Sequence, residues 1–129
     1  MTAVPRSYVE HVVVRVKDIH WHVRFFREVL GMTVREIEGS ADAPRQLWTI
    51  GGMQLISDPS FAGPEGRLAH LGVMTEDLEA VLERAYAWDG VKALPQGRNW
   101  LELPDGLCVE VIQAKGDAVA RALAIDPRK

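Results

Sequence analysis

Two stretches of the chain, EHVVVRVKD at Glu10–Asp18 and AHLGVMTED at Ala69–Asp77, read alike when one is laid on the other so that His11 meets His70. Val14 then meets Val73 and Asp18 meets Asp77. Further along, Ile19 meets Leu78, Val23 meets Leu82 and Gly31 meets Gly90. A histidine, an aspartate and a glycine coincide, so more than a shared apolar rhythm repeats. Internal repetition is settled first because it decides how every other segment is assigned.

Each copy predicts the same series of elements. In the first, Tyr8–Lys17 holds the β-branched run Val12, Val13, Val14 and Val16, which reads as a strand. Asp18 follows as a helix N-cap, Trp21, Phe25, Val29 and Leu30 keep helical spacing, and Gly31 stops the helix. Short strands are expected over Thr33–Glu38, Arg45–Ile50 and Met53–Ile56, with Gly51 and Gly52 as the hairpin turn. In the second copy His70–Met74 reads as strand, Thr75 or Asp77 as cap, and Leu78, Val81, Leu82 and Ala85 as the apolar stripe of a helix ending near Gly90. Strands at Lys92–Leu94, Trp100–Leu103 and Leu107–Ile112 follow, with Pro104, Asp105 and Gly106 as a turn. Two βαβββ units result, in an α+β fold. Repeat 1 covers about residues 8–56, a Gly- and Pro-bearing linker about 57–68, repeat 2 about 69–113, and a short helix or tail about 114–129.

Length and composition agree with one domain over residues 1–129. With 47% hydrophobic residues the chain can build a core without disulfides. Its one cysteine, Cys108, has no internal partner, which points to a reducing compartment such as the cytoplasm. Fifteen Lys and Arg against 18 Asp and Glu leave a net charge of −3, without the basic cluster a nucleic-acid partner needs. No apolar run approaches the roughly 18 residues of a membrane span, and Met1–Glu10 has no signal-peptide core, so no membrane partner is expected.

The motifs EHVVVRVKD, VRFFREVLGM (Val23–Met32), AHLGVMTEDLEAV (Ala69–Val81) and LPDGLCVEVI (Leu103–Ile112) together resemble the vicinal oxygen chelate superfamily. That group includes glyoxalase I, methylmalonyl-CoA epimerase, extradiol dioxygenases, fosfomycin-resistance transferases and bleomycin-resistance proteins. The resemblance covers about Tyr8–Gln113 and implies that the two modules form a curved, partly open, barrel-like sheet with helices outside. It also implies a homodimer.

The repeat points to a metal site on its own. His11 and His70 hold equivalent places on two related strands, and Gln54 and Glu110 hold equivalent places on two later ones, each a few residues after a glycine turn. Two imidazoles, a carboxylate and an amide oxygen suit a divalent ion and leave positions open for substrate oxygens. The predicted ligands are therefore His11, Gln54, His70 and Glu110, for an ion such as Ni²⁺, Co²⁺, Mn²⁺, Zn²⁺ or Fe²⁺. Epimerase-like members of the superfamily use this His, Gln, His, Glu set, which implies a lyase or isomerase with Glu110 as base and a small anionic or oxygen-chelating substrate. The set without Gln54 matches the iron ligands of a ring-cleaving dioxygenase, a reading weakened because no histidine lies between Gly72 and Glu110. A metal-free, bleomycin-resistance-like binding protein is the third reading.

Around these ligands, Arg15, Trp100 and Cys108 are candidates for a substrate pocket. Arg15 shares His11's strand face and could meet a substrate carboxylate or Glu102, or be exposed. Cys108 shares Glu110's face and reads better as a small hydrophobe than as a nucleophile. Trp48 and Trp100 occupy similar strands in the two copies and either could line a substrate cavity or fill the core, the core reading leading for Trp48. His20 and His22 stand two apart on a helix, so they point about 200° apart and cannot hold one ion together.

Overall fold

The computed structural model describes residues 4–29, 32–49, 52–63 and 66–125. Strand β1 (Ser7–Val16) leads to helix α1 (Ile19–Glu28) and strands β2 (Val34–Gly39), β3 (Pro44–Thr49) and β4 (Met53–Ser57). Strand β5 (Leu68–Thr75) opens the second series: α2 (Leu78–Tyr86), β6 (Lys92–Leu94), β7 (Gly97–Glu102), β8 (Cys108–Gln113) and a closing helix α3 (Ala118–Ala124). The βαβββ order thus occurs twice in an α+β protein. In the first series the strands hydrogen-bond in the order β2-β3-β4-β1 and in the second in the order β5-β8-β7-β6. Contacts group the chain into residues 11–70 on one hand and 1–10 with 71–129 on the other.

Within residues 11–70, Asp18 caps α1: its backbone is extended and its Oδ1 accepts the Trp21 N–H at 3.1 Å. The helix lays Ile19, Val23 and Phe26 against Val16, Leu47 and Leu55. Strand β1 runs parallel to β4 with Val13 beside Gln54 and Val14 beside Leu55. Strand β4 is antiparallel to β3, pairing Leu47 with Leu55 and Trp48 with Gln54, and β3 pairs Gln46 with Glu38 of β2. Because side chains alternate along a strand, Val14, Val16, Leu47 and Leu55 go to the helix side. His11, Val13, Gln54, Trp48, Gln46 and Glu38 take the other face. Trp48 is therefore half-buried in register with Gln54, and it is outside the cluster that holds its neighbour Leu47, contrary to its expected core role.

Residues 71–129 repeat the design. Asp77 caps α2 through the Ala80 N–H, again at 3.1 Å. Leu82 packs with Leu101 and Val111, and Leu78, Val81 and Val109 surround them. Strands β5 and β8 are parallel with Gly72 beside Glu110, and β7 places Trp100 beside Glu110 from the other side. At the near end of β1, Arg6 ties to the cap of α2: its main-chain N–H and its guanidinium donate to the Glu76 carboxylate at 2.6–3.1 Å.

Element boundaries moved where pairing outweighed propensity. Strand β7 begins at Gly97 and not at Trp100, because pairing of Leu94 with Gly97 draws three weak strand formers into the ladder. The Pro104–Gly106 turn is a short 3-10 turn in which Gly106 sits at φ +89°, in the left-handed region that glycine tolerates. The expected stop at Gly31, the last residue of the strand ending at Ile50, and Gly51 of the hairpin turn lie outside the described residues.

Candidate metal centre

Strands β1 and β5 carry His11 and His70, both buried at 6% and 9% exposure, with ring centroids 5.6 Å apart and planes at 84°. With Glu110 of the other unit they make up a His-His-Glu set of the residue types that could hold a metal ion. Two imidazoles and one carboxylate suit Zn²⁺, Ni²⁺, Co²⁺, Mn²⁺ or Fe²⁺.

Gln54 is buried at 5% exposure on the sheet face that carries Val13 and His11. Its Nε2 donates to Oε1 of Gln46 at 2.6 Å, and Nε2 of Gln46 donates to the Glu38 carboxylate at 2.5 Å. Arg45 also donates to Glu38, at 3.3 Å. The hydrogen bond from Gln46, with that from Arg45, holds the Glu38 carboxyl below its ordinary range. Sequence reasoning passed over Glu38 and Gln46. Their eight-residue steps toward Gln54 are the signal they leave, since strand pairs joined by short loops return a side chain to its neighbour at such spacing.

The profile of the Glyoxalase/Bleomycin resistance protein/Dioxygenase superfamily matches residues 8–96. The chain belongs to this superfamily. The matched region contains His11, Gln54 and His70, and Glu110 lies beyond it. The uncharacterized protein YwbC of Bacillus subtilis (strain 168) is 26% identical over 121 residues, spanning 81% of this chain and 96% of that relative. The 2,3-dioxygenase LapB from Pseudomonas sp. KL28 matches 84% of this chain with a TM-score of 0.61 at 18% identity, and this chain spans 42% of LapB's length. Methylmalonyl-CoA epimerase from Mycobacterium tuberculosis matches 87% of this chain and 91% of its own, with a TM-score of 0.55 at 16% identity. At these identities the resemblance to solved structures carries the fold alone.

In this superfamily member the remaining predicted pocket residues have definite places. Trp100 lies in register with Glu110, and Cys108 lies in register with Glu102 two residues before it, with its Sγ 3.6 Å from the Gly106 carbonyl. Arg15 donates from Nη1 to the Gly66 carbonyl at 2.9 Å, so its guanidinium has a main-chain partner. His22 contacts the Asp18 carbonyl through Nδ1 at 2.6 Å. His20 and His22 border a cavity of about 1200 Å³ together with Lys17, Trp21, Arg45 and Gln46. Among the described residues, no helix is long and apolar enough to cross a membrane.

Proposed function

We propose that this protein is a metal-dependent enzyme of lyase or isomerase type, which holds a small anionic substrate through two oxygens on adjacent carbons and moves a proton next to a carbonyl. The observation that carries this reading is the burial of His11, His70 and Gln54 in one unit, with the two histidine rings 5.6 Å apart. A divalent ion held there would supply Lewis-acid polarisation of the carbonyl oxygen.

His11 and His70 are the neutral ligands, Gln54 adds an uncharged oxygen, and Glu110 supplies the one negative charge. The net charge of about +1 suits an anionic chelating substrate. Glu110 has two oxygens, so one can stay with the ligand set while the other takes a proton. It removes the proton from the carbon bearing the hydroxyl. The C–H electron pair becomes a C–C double bond and the carbonyl pair moves onto oxygen. Return of that proton to the adjoining carbon, with transfer of the hydroxyl proton to the former carbonyl oxygen, exchanges the two groups. Trp100, beside Glu110 in the ladder, and Val13, beside Gln54, offer apolar surface that limits water around the reacting carbons. Cys108 and Arg15 complete the proposed pocket. We further propose a cytoplasmic homodimer, to be tested by sedimentation of the purified chain.

Metal analysis of the purified protein before and after EDTA tests the reading, followed by assays of metal-restored protein. Near-stoichiometric metal that EDTA removes and that His11→Ala lacks is expected, with isomerisation of the hemithioacetal of methylglyoxal and glutathione or deuterium uptake next to a carbonyl. Ring opening of a catechol by Fe²⁺-loaded protein would replace this with the dioxygenase reading. Metal-free protein that binds bleomycin would replace it with the binding-protein reading.

A further inference from the structure

The hydrogen bonds from Glu38 through Gln46 to Gln54 have a direction that chemistry dictates. An ionised carboxylate only accepts, so Gln46 must turn its NH₂ toward Glu38. Its amide oxygen is thereby left facing Gln54, and Gln54 must answer with its own NH₂. What the Gln54 amide has left to offer a cation is its oxygen, beside one further N–H. The order follows from the charge at the far end of the chain, whichever way each amide is first drawn.

An amide oxygen and an amide nitrogen have nearly the same shape, and a half-turn of the terminal group exchanges them. The oxygen carries lone pairs for a cation or a water, while the NH₂ offers none. Gln54 is buried, so bulk water cannot stabilise the wrong orientation. We propose that Glu38 and Gln46 are positioning residues, which lock the Gln54 amide with its oxygen presented on the face that carries His11 and so make it a competent fourth ligand. This inference rests on the metal-centre reading above. Glu110, the counterpart of Gln54 in the second half, has two equivalent oxygens and no wrong orientation to exclude. The counterpart of Gln46 there, two residues before Trp100, is Arg98, whose guanidinium goes instead to Glu79 at 3.1 Å and over the Tyr86 ring.

The test is Co²⁺ binding to the metal-stripped full-length chain, read from the visible absorption of the bound ion in competition with a chelator. Gln46→Leu and Glu38→Gln should each weaken binding by roughly 10–100-fold, the scale for residues that orient a metal ligand. The double variant Glu38→Gln/Gln46→Glu moves the negative charge one link inward, keeps an acceptor opposite the Gln54 NH₂, and should recover most of the loss. Slow hydrogen exchange of the Gln54 side-chain amide, seen by NMR in the metal-free parent, should disappear in Gln46→Leu. Glu38 is exposed, so Glu38→Gln keeps the test alive if Gln46→Leu fails to fold. If both single variants bind Co²⁺ as the parent does while His11→Ala abolishes binding, the positioning role is wrong and the metal centre stands. If the single variants weaken binding and the double variant restores nothing, directionality is wrong. If the parent binds no Co²⁺, or binds it regardless of His11→Ala, the metal centre falls and this proposal falls with it.

Discussion

The two halves of the molecule use one backbone plan and diverge at a single functional place. In each, a histidine-bearing strand runs parallel to a later strand, and that strand presents a polar residue flanked by a tryptophan on its antiparallel neighbour: Val13, Gln54 and Trp48 in one, Gly72, Glu110 and Trp100 in the other. One half delivers a neutral amide with a hydrogen-bonded support behind it, the other a charged carboxylate. The difference teaches that what a repeat conserves is register, while the side chain at that register determines what support it needs. An amide has two ends to tell apart; a carboxylate does not.

The comparison can be broken first at the cores. Leu55 in one half and Leu82 in the other are almost fully buried, at 1% and 2% exposure. Leu55→Ala and Leu82→Ala should each cost about 2–5 kcal/mol of stability in urea denaturation, since each leaves a cavity. A negligible cost at either position would mean that the halves are not supported alike.

A second contrast sets Glu110 against Gln54. Glu110→Gln should keep the fold, because the side chains are nearly equal in volume, while metal affinity drops and any turnover falls by roughly 10²-fold. Gln54→Leu, which removes only a neutral donor, should weaken metal binding less. Metal analysis with steady-state kinetics on both variants checks the order, and equal losses would erase the distinction drawn between the halves. Full metal occupancy with lost turnover in Glu110→Gln would assign Glu110 to proton transfer.

Smaller effects belong to the paired helix caps. Asp18→Ala and Asp77→Ala each remove one hydrogen bond of 3.1 Å to a first-turn N–H, and each should cost about 1 kcal/mol, read as similar falls in Tm.

The smallest effect concerns a contact of one half, Arg6 with Glu76. Hydrogen bonding to Arg6 lowers the Glu76 pKa from its ordinary 4.5. A carboxyl whose folded value is depressed adds stability that is present above its unfolded value and is lost as pH falls through the folded one. The parent should therefore lose slightly more stability than Glu76→Gln as pH drops below 4.5, and this difference should shrink in high salt because the pair is exposed. Identical acid unfolding curves would show that the pair adds nothing.

Much of this was legible in the chain itself, for particular physical reasons. The valines of β1, the aspartate before each helix and the apolar stripe of α2 are short-range signals, and the structure carries them as read. In α1 the expected stripe of Trp21, Phe25 and Val29 stays exposed, and Leu30 lies outside the described residues. Ile19, Val23 and Phe26 face the sheet instead, because the register of the helix on the sheet selects the buried face. His11 and His70 come forward as candidate ligands from their equivalent places when the chain is aligned with itself. Glu38 and Gln46 were missed because each, taken alone, is an ordinary polar residue on a strand. Trp48 was misassigned because its strand neighbour Leu47 is core and alternation sends the two to opposite faces.

What the sequence determined by itself is the element order, the two caps and the identity of the candidate donors, since these depend on residues within a turn or a strand of one another and on the repeat. It took the folded chain to show that β1 and β4 run parallel with Val13 beside Gln54, that Gln46 reaches Gln54 across the ladder, and that the His11 and His70 rings stand 5.6 Å apart. Those outcomes depend on strand register, set by the whole set of pairings and loop lengths, and a shift of one residue would turn every one of these side chains to the opposite face.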